Sequence, residues 1–142
     1  MDRVGLVKPV CLDTTILVDL ERGIPAAKKE IEKLLSESYR LSTTTINIFE
    51  MAFGAHKSKS SKKNIKALIA LTEDLDLWDF DIESSFLAGE LLQKLESKGT
   101  PIGFRDIFIA SIALTNRCDR IVTSNVKDFT RIPGITATPY NE

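Results

Sequence analysis

Two short apolar runs constrain this chain more than any other feature. Val10-Cys11-Leu12 and Ile121-Val122 carry no polar alternation, and each is followed at once by polar residues. A strand that is apolar on both faces belongs in a sheet covered on both sides, which is the habit of parallel sheets. Helical patterns fill the spaces between such runs. Strands alternating with helices predict an α/β fold, a three-layer α/β/α sandwich with a central, mostly parallel sheet. Sheets of this kind place ligands beyond the carboxyl ends of their strands. No repeat, low-complexity tract or Pro/Gly-rich linker divides the sequence, so its 142 residues are read as one domain, 1–142.

The pattern predicts strands at residues 10–12, 39–43, 75–80 and 120–123, with a last short one at 135–138. Helices are expected over 14–22, from Pro25 to about Ser38, over 46–56, 61–72, 82–98 and 104–116. Ile16, Leu17 and Leu20 mark the first of these, and Gly23 stops it. Pro25 opens the second where its missing N–H costs nothing. The run Ser42-Thr43-Thr44-Thr45 supplies an N-cap for the third. Phe86, Leu87, Leu91, Leu92 and Leu95 give the fifth a clear apolar stripe, and Gly99 and Pro101 end it. The sixth is apolar almost all round and is expected to be buried. The segment 124–129 reads as a polar loop or an Asx turn.

Composition narrows the chemistry. Lys and Arg total 19 against 20 Asp and Glu, so the whole chain shows no basic excess for nucleic acid. Two cysteines, Cys11 and Cys118, sit in apolar stretches and read as reduced core thiols. The single histidine, His56, leaves few routes to a Ser-His-Asp triad or a His-rich zinc site, and is itself read as a surface residue. No run approaches the ~20 apolar residues of a membrane helix. Met1-Asp2-Arg3 precedes too short an apolar stretch for a signal peptide, so a cytoplasmic protein is expected. Chemistry must come from carboxylates, amides and hydroxyls.

Most acids fall in ordinary solvated places, such as 74–83 around the third strand. Four positions do not. Asp13 closes the first strand where a helix begins, as an N-cap or as a site residue. Glu50 lies among Ile46, Asn47, Phe53 and Gly54, on a helix face that either reaches solvent or holds a carboxylate needing a cation. Asp106 sits in the first turn of the most apolar helix, where the helix dipole favours it, or at the mouth of the sheet. Asn125 and Asp128 lie just past the strand ending at Thr123.

The set carries more than its members. All these positions are strand ends or buried helix starts, and a parallel sandwich can bring them into one crevice. Clustered carboxylates resist desolvation unless a cation neutralises them. Hard oxygen ligands favour Mg²⁺ or Mn²⁺ over zinc. The natural reaction with such ions is in-line hydrolysis of a phosphodiester.

In these residues the chain resembles the PIN-domain family, and within it the VapC-type toxins of toxin–antitoxin pairs. The matching motifs are Leu12-Asp13-Thr14-Thr15-Ile16-Leu17, Thr45-Ile46-Asn47-Ile48-Phe49-Glu50-Met51-Ala52, the run from Gly99 through Asp106 to Ala110, and Val122-Thr123-Ser124-Asn125-Val126-Lys127-Asp128-Phe129. The resemblance implies a PIN-like fold and an Mg²⁺- or Mn²⁺-dependent endoribonuclease acting on single-stranded or loop RNA. It also implies a homodimer silenced by a cognate VapB-type antitoxin. Asp13, Glu50 and Asp106 match the family's acidic ligands. Asn125 stands where many relatives carry Asp, and Asp128 lies three residues on; both are assigned to catalysis, Asp128 is counted among the metal ligands, and either of the two fills the fourth position. Thr14, Thr15 and Thr123 adjoin the motifs as supports for the ligands, Thr15 replacing a common Asn.

The segment 56–66 holds five lysines and no acid. Lys57, Lys59, Lys62 and Lys63 are candidates for phosphate contacts, against the reading of a solvated helix face. Arg105 either holds a substrate phosphate or pairs with an acid. The helices 14–22 and 25–38 either form a groove for an antitoxin helix or simply pack in the core. Trp78 is read as core. The alternatives to a nuclease are a non-catalytic RNA-binding or scaffolding relative and, further off, a receiver-type phosphotransfer domain, which lacks its expected strand-end lysine here.

Overall fold

A computed structural model describes residues 7–100 and 102–140. The readings of Met1-Asp2-Arg3 and of Pro101 as a helix stop lie outside them. The elements run β1 (Pro9–Leu12), α1 (Thr14–Glu21), α2 (Pro25–Ser36), β2 (Arg40–Thr44), α3 (Thr45–Lys57), α4 (Ser61–Thr72), β3 (Asp76–Trp78), α5 (Ile82–Ser97), α6 (Phe104–Thr115), β4 (Arg120–Val122), α7 (Val126–Thr130) and β5 (Thr136–Thr138). The expected sandwich is present, and its sheet is parallel throughout, in the order β3-β2-β1-β4-β5.

Alternation along the central strands divides the core. Val10, Leu12 and Val122 face one side, where Ile16 and Leu17 of α1 and Ala27 and Leu34 of α2 cover them. Cys11 and Ile121 face the other, beneath Leu91 and Leu95 of α5 and Ile109 and Ile112 of α6. Trp78 is buried in this second core, as expected. Helix α3 serves both layers, with Ile46 packed on one core and Met51 on the other.

Local signals set the boundaries. Gly23, at φ +72°, takes the left-handed turn after α1 that an L side chain resists. Pro25 begins α2 as expected. Within the polar run before α3 the cap is Thr44, whose Oγ1 accepts the backbone N–H of Asn47. Asp81 and Ser84 form a reciprocal capping box on α5.

Two expectations need correction. The segment after Thr123 is no open loop, because Val126–Thr130 forms α7. Its anchor is Phe129, which is fully buried under α6. The strand expected over 75–80 is only Asp76–Trp78, at the sheet edge, with Asp76 paired to Arg40 of β2.

Candidate active site

The strand order reverses direction at β1. Its neighbours β2 and β3 follow on one side, and β4 and β5 on the other. A crevice opens at such a reversal beyond the carboxyl ends of the strands. Asp13 is the first residue past β1 and Thr123 the first past β4, and Leu12 pairs with Val122 just before them.

Asp13 occupies the N-cap position of α1 but caps nothing with its side chain. Its carboxylate is fully buried and spends its oxygens elsewhere. Thr123 Oγ1 donates to Oδ2 at 2.7 Å, while Asn47 Nδ2 and Arg105 Nη2 donate to Oδ1 at 2.9 and 2.8 Å. A buried carboxylate with this many donors is a built feature, and its place at the start of α1 does not account for it.

Asn47 organises the β2–α3 side. It is fully buried, takes the Thr44 hydroxyl on its Oδ1 at 2.6 Å, and donates to both Asp13 and Thr14 Oγ1. Thr14 in turn donates to Glu50 Oε1 at 2.6 Å. A chain of hydrogen bonds therefore links Thr44, Asn47, Thr14 and Glu50. Asn47 was not singled out as a site residue from the sequence. The available signal was a polar residue one turn before Glu50 on the same apolar helix.

Arg105 stands at the centre. Its Nη1 donates to Asp106 Oδ1 at 2.6 Å, its Nη2 to Asp13 and to Glu50 Oε1 at 2.9 Å, and its Nε to Glu50 Oε2. One guanidinium thus bridges three carboxylates that lie far apart in sequence. Burial alone would push Glu50 up, but hydrogen bonds from Arg105 and Thr14 outweigh it and hold the carboxyl below its ordinary value. Asp106 goes the other way. Burial raises it, Asp13 and Asp128 add to the rise, and Arg105 only partly offsets them.

The remaining sequence candidates are distributed unevenly. Asn125 lies at the mouth with Thr15, Ser124 and Arg105, and its backbone N–H is held by Thr123 Oγ1 at 2.9 Å. Asp128, in the first turn of α7, reaches Arg131 at 3.5 Å. Thr15 Oγ1 accepts the Ser124 N–H, tying the start of α1 to the segment after β4. Lys57, Lys59, Lys62 and Lys63 are all exposed around the α3–α4 connection, as is His56. A groove of about 420 Å³ runs from Thr14 and Glu50 past Met51 and Gly54 to Lys63 and Leu68. Helices α1, α3 and α4 line it, and α2, expected to share in such a groove, does not.

The donor set at the centre is hard oxygen throughout, and it already gathers around a positive charge. Asp13, Glu50 and Asp106 therefore fit a divalent cation in kind. Among the described residues no three Asp, Glu, His or Cys side chains are arranged to hold one directly. The guanidinium stands between the acids.

A PIN domain family model matches residues 10–135. The chain belongs to the PIN domain family. Within it the likeness is to VapC proteins. Ribonuclease VapC2 of Rickettsia felis is 34% identical over 124 residues, covering 87% of this chain and 92% of that protein. The tRNA(fMet)-specific endonuclease VapC of Salmonella typhimurium is 32% identical, with the same shares covered. The VapBC2 structure from Rickettsia felis, bound to a DNA fragment from its promoter, superposes with a TM-score of 0.83 at 30% identity, covering 94% of this chain and 99% of that one. This PIN domain thus carries its acids at the strand-end crevice, with an arginine among them.

Proposed function

We propose that this PIN domain is an Mg²⁺- or Mn²⁺-dependent endoribonuclease, acting on single-stranded or loop RNA as the toxin of a VapBC-type pair. The observation that carries the reading is the convergence of Asp13, Glu50 and Asp106 on one cationic group at the β1/β4 reversal. The VapC relatives named ribonuclease and endonuclease support it.

Asp13, Glu50 and Asp106 would hold the metal, with Asn125 and Asp128 beside them. When bound, such an ion polarises phosphate oxygens and lowers the pKa of water at the site. The chain's own residues do the positioning. Thr123 and Asn47 fix the Asp13 carboxylate, and Thr14 fixes Glu50. Lys63 lines the groove that leads to Glu50, and Lys57, Lys59 and Lys62, exposed around the α3–α4 connection, are further point charges for the RNA backbone.

The same groove suits an antitoxin segment, since Val18, Met51, Ala67 and Leu68 give it an apolar floor. The solved VapBC complexes among the structural neighbours support a VapB-type partner. Phe49, Phe53, Phe86 and Phe104 are more than half exposed, which supports a homodimer covering some of them. Among the described residues no helix is long and apolar enough to cross a membrane, and a cytoplasmic setting is proposed with the RNA substrate.

The test is cleavage of a structured RNA by purified protein with Mg²⁺ or Mn²⁺, with EDTA, and with Asp13→Asn and Asp106→Asn. Cutting should require the ion and vanish in both variants. Cutting that survives both substitutions overturns the reading. Salt-sensitive RNA binding without any cutting would establish the scaffolding alternative instead.

A further inference from the structure

We propose that Arg105 is a built-in counter-cation, which a divalent ion must displace before the carboxylate centre can work. This rests on the metal reading of the site.

The geometry is that of a plug. The guanidinium offers a planar fork of five N–H donors. Here that fork is shared among Asp13, Glu50 and Asp106, with Nη2 alone serving two of them. An arginine packed beside a single acid would satisfy one carboxylate and leave the others to find solvent or hydroxyl partners. Instead the three acids are spaced around a group much wider than a metal ion. That spacing accounts for the lack, among the described residues, of any acid cluster arranged to hold an ion directly.

The plug has a way out. The Arg105 side chain is 33% exposed, against 1% for Asp13. It opens onto the mouth formed with Thr15, Ser124 and Asn125. Two of the acids keep contacts that do not involve it: Thr123 and Asn47 hold Asp13, and Thr14 holds Glu50, while Asp106 bonds to Arg105 itself. A small ion with two charges can therefore replace the guanidinium as the counter-charge while those supports persist. The free protein binds metal only through its open fraction, so occupancy by Arg105 weakens the apparent affinity. Once outside, Arg105 remains next to Asp106 at the mouth, where its fork suits phosphate oxygens. Acid pairing and phosphate binding are then successive states of one side chain.

Calorimetric titration of the chelated full chain with Mn²⁺, wild type against Arg105→Gln, tests this. The variant should bind Mn²⁺ about tenfold more tightly, because the competitor is gone. Without metal it should melt below the wild type, and Mn²⁺ should raise its Tm more. Asp13→Asn should abolish the binding heat in both backgrounds. Equal or weaker Mn²⁺ binding by Arg105→Gln, with the wild type binding normally, overturns the inference and leaves the metal reading intact. A purely structural Arg105 would lower Tm equally with and without Mn²⁺ and leave Kd unmoved. No Mn²⁺ binding by either protein at millimolar concentration overturns the metal reading and this inference together. Should Arg105→Gln fail to fold, Arg105→Lys decides the matter by the same comparison, since one ammonium cannot span three acids and its Kd should also fall.

Discussion

Asn47 holds Asp13 from 34 positions away in sequence, its Nδ2 lying 2.9 Å from Oδ1. The contact joins the helix after β2 to the end of β1, and the same amide steadies Thr14. Asn47→Ala leaves a fully buried carboxylate short of a donor, which costs about 1–3 kcal/mol. It also frees Asp13 and Glu50 to shift. Cleavage should fall about 100-fold, on the scale of an ångström's misplacement. Urea unfolding and a cleavage assay on the same preparation measure both, and an unchanged rate would show that Asn47 serves stability alone.

Removing the Asp106 charge should stabilise the metal-free protein. Its folded-state carboxyl is raised, chiefly by burial. A raised acid favours the folded state below its unfolded value and loses that contribution as pH rises through the folded one. At pH 7 the ionised group is therefore a net cost. Asp106→Asn, melted in EDTA, should gain roughly 2–4 °C, equivalent to about 1 kcal/mol in a domain of this size. The gain should shrink as pH falls through the raised value of the folded wild-type carboxyl, which then also takes up its proton.

Lys62 and Lys63 should act on RNA through charge alone. Replacing both with Gln should lower the slope of log K against log salt by about 1.4, near 0.7 per phosphate contact on a single strand. Filter binding to a loop RNA at several KCl concentrations, in a variant with Asp13→Asn to prevent cutting, gives the slope directly. No change would place the RNA elsewhere.

Phe129 should prove to be a core residue of the first rank. Phe129→Ala empties a fully buried site beneath α6 and should cost about 3–5 kcal/mol in urea unfolding. A loss under about 1 kcal/mol would mean that α7 is peripheral to the fold.

Both thiols should be silent in the folded protein. Burial pushes Cys118 up to about 11, and burial likewise raises Cys11. At pH 8 only about one Cys118 in a thousand would be thiolate even with free access. A disulfide reagent should therefore titrate neither in native buffer and both in urea. Prompt native reaction would disprove their burial.

The sheet and the three principal acids were legible in the sequence because each left a mark of its own. Val10-Cys11-Leu12 and Ile121-Val122 are apolar on both faces, as central parallel strands must be. Asp13, Glu50 and Asp106 interrupt apolar surroundings where a charge needs a reason. Helix α7 left no such mark. Five residues hold barely more than one helical turn, so only Phe129 needs to be apolar and no period develops. Asn47 was hidden for a related reason, since a buried amide looks like any exposed one until its partners are known. The double role open to Arg105 could be stated from sequence, but its reach to Glu50 and Asp13 depends on how α3 and α6 meet at the end of β1.

The pairing of Asp13 with Thr123 also sets a timetable. The two residues are 110 positions apart, and β4, which brings Thr123 beside β1, is among the last elements of the chain. During synthesis the amino-terminal elements emerge first and wait for a neighbour that does not yet exist. Until β4 is made and inserted beside β1, Asp13 lacks Thr123 and the crevice has one wall. Chains that stop before β4 therefore lack the Thr123 side of the crevice, and the assembled carboxylate centre exists only once β4 is in place.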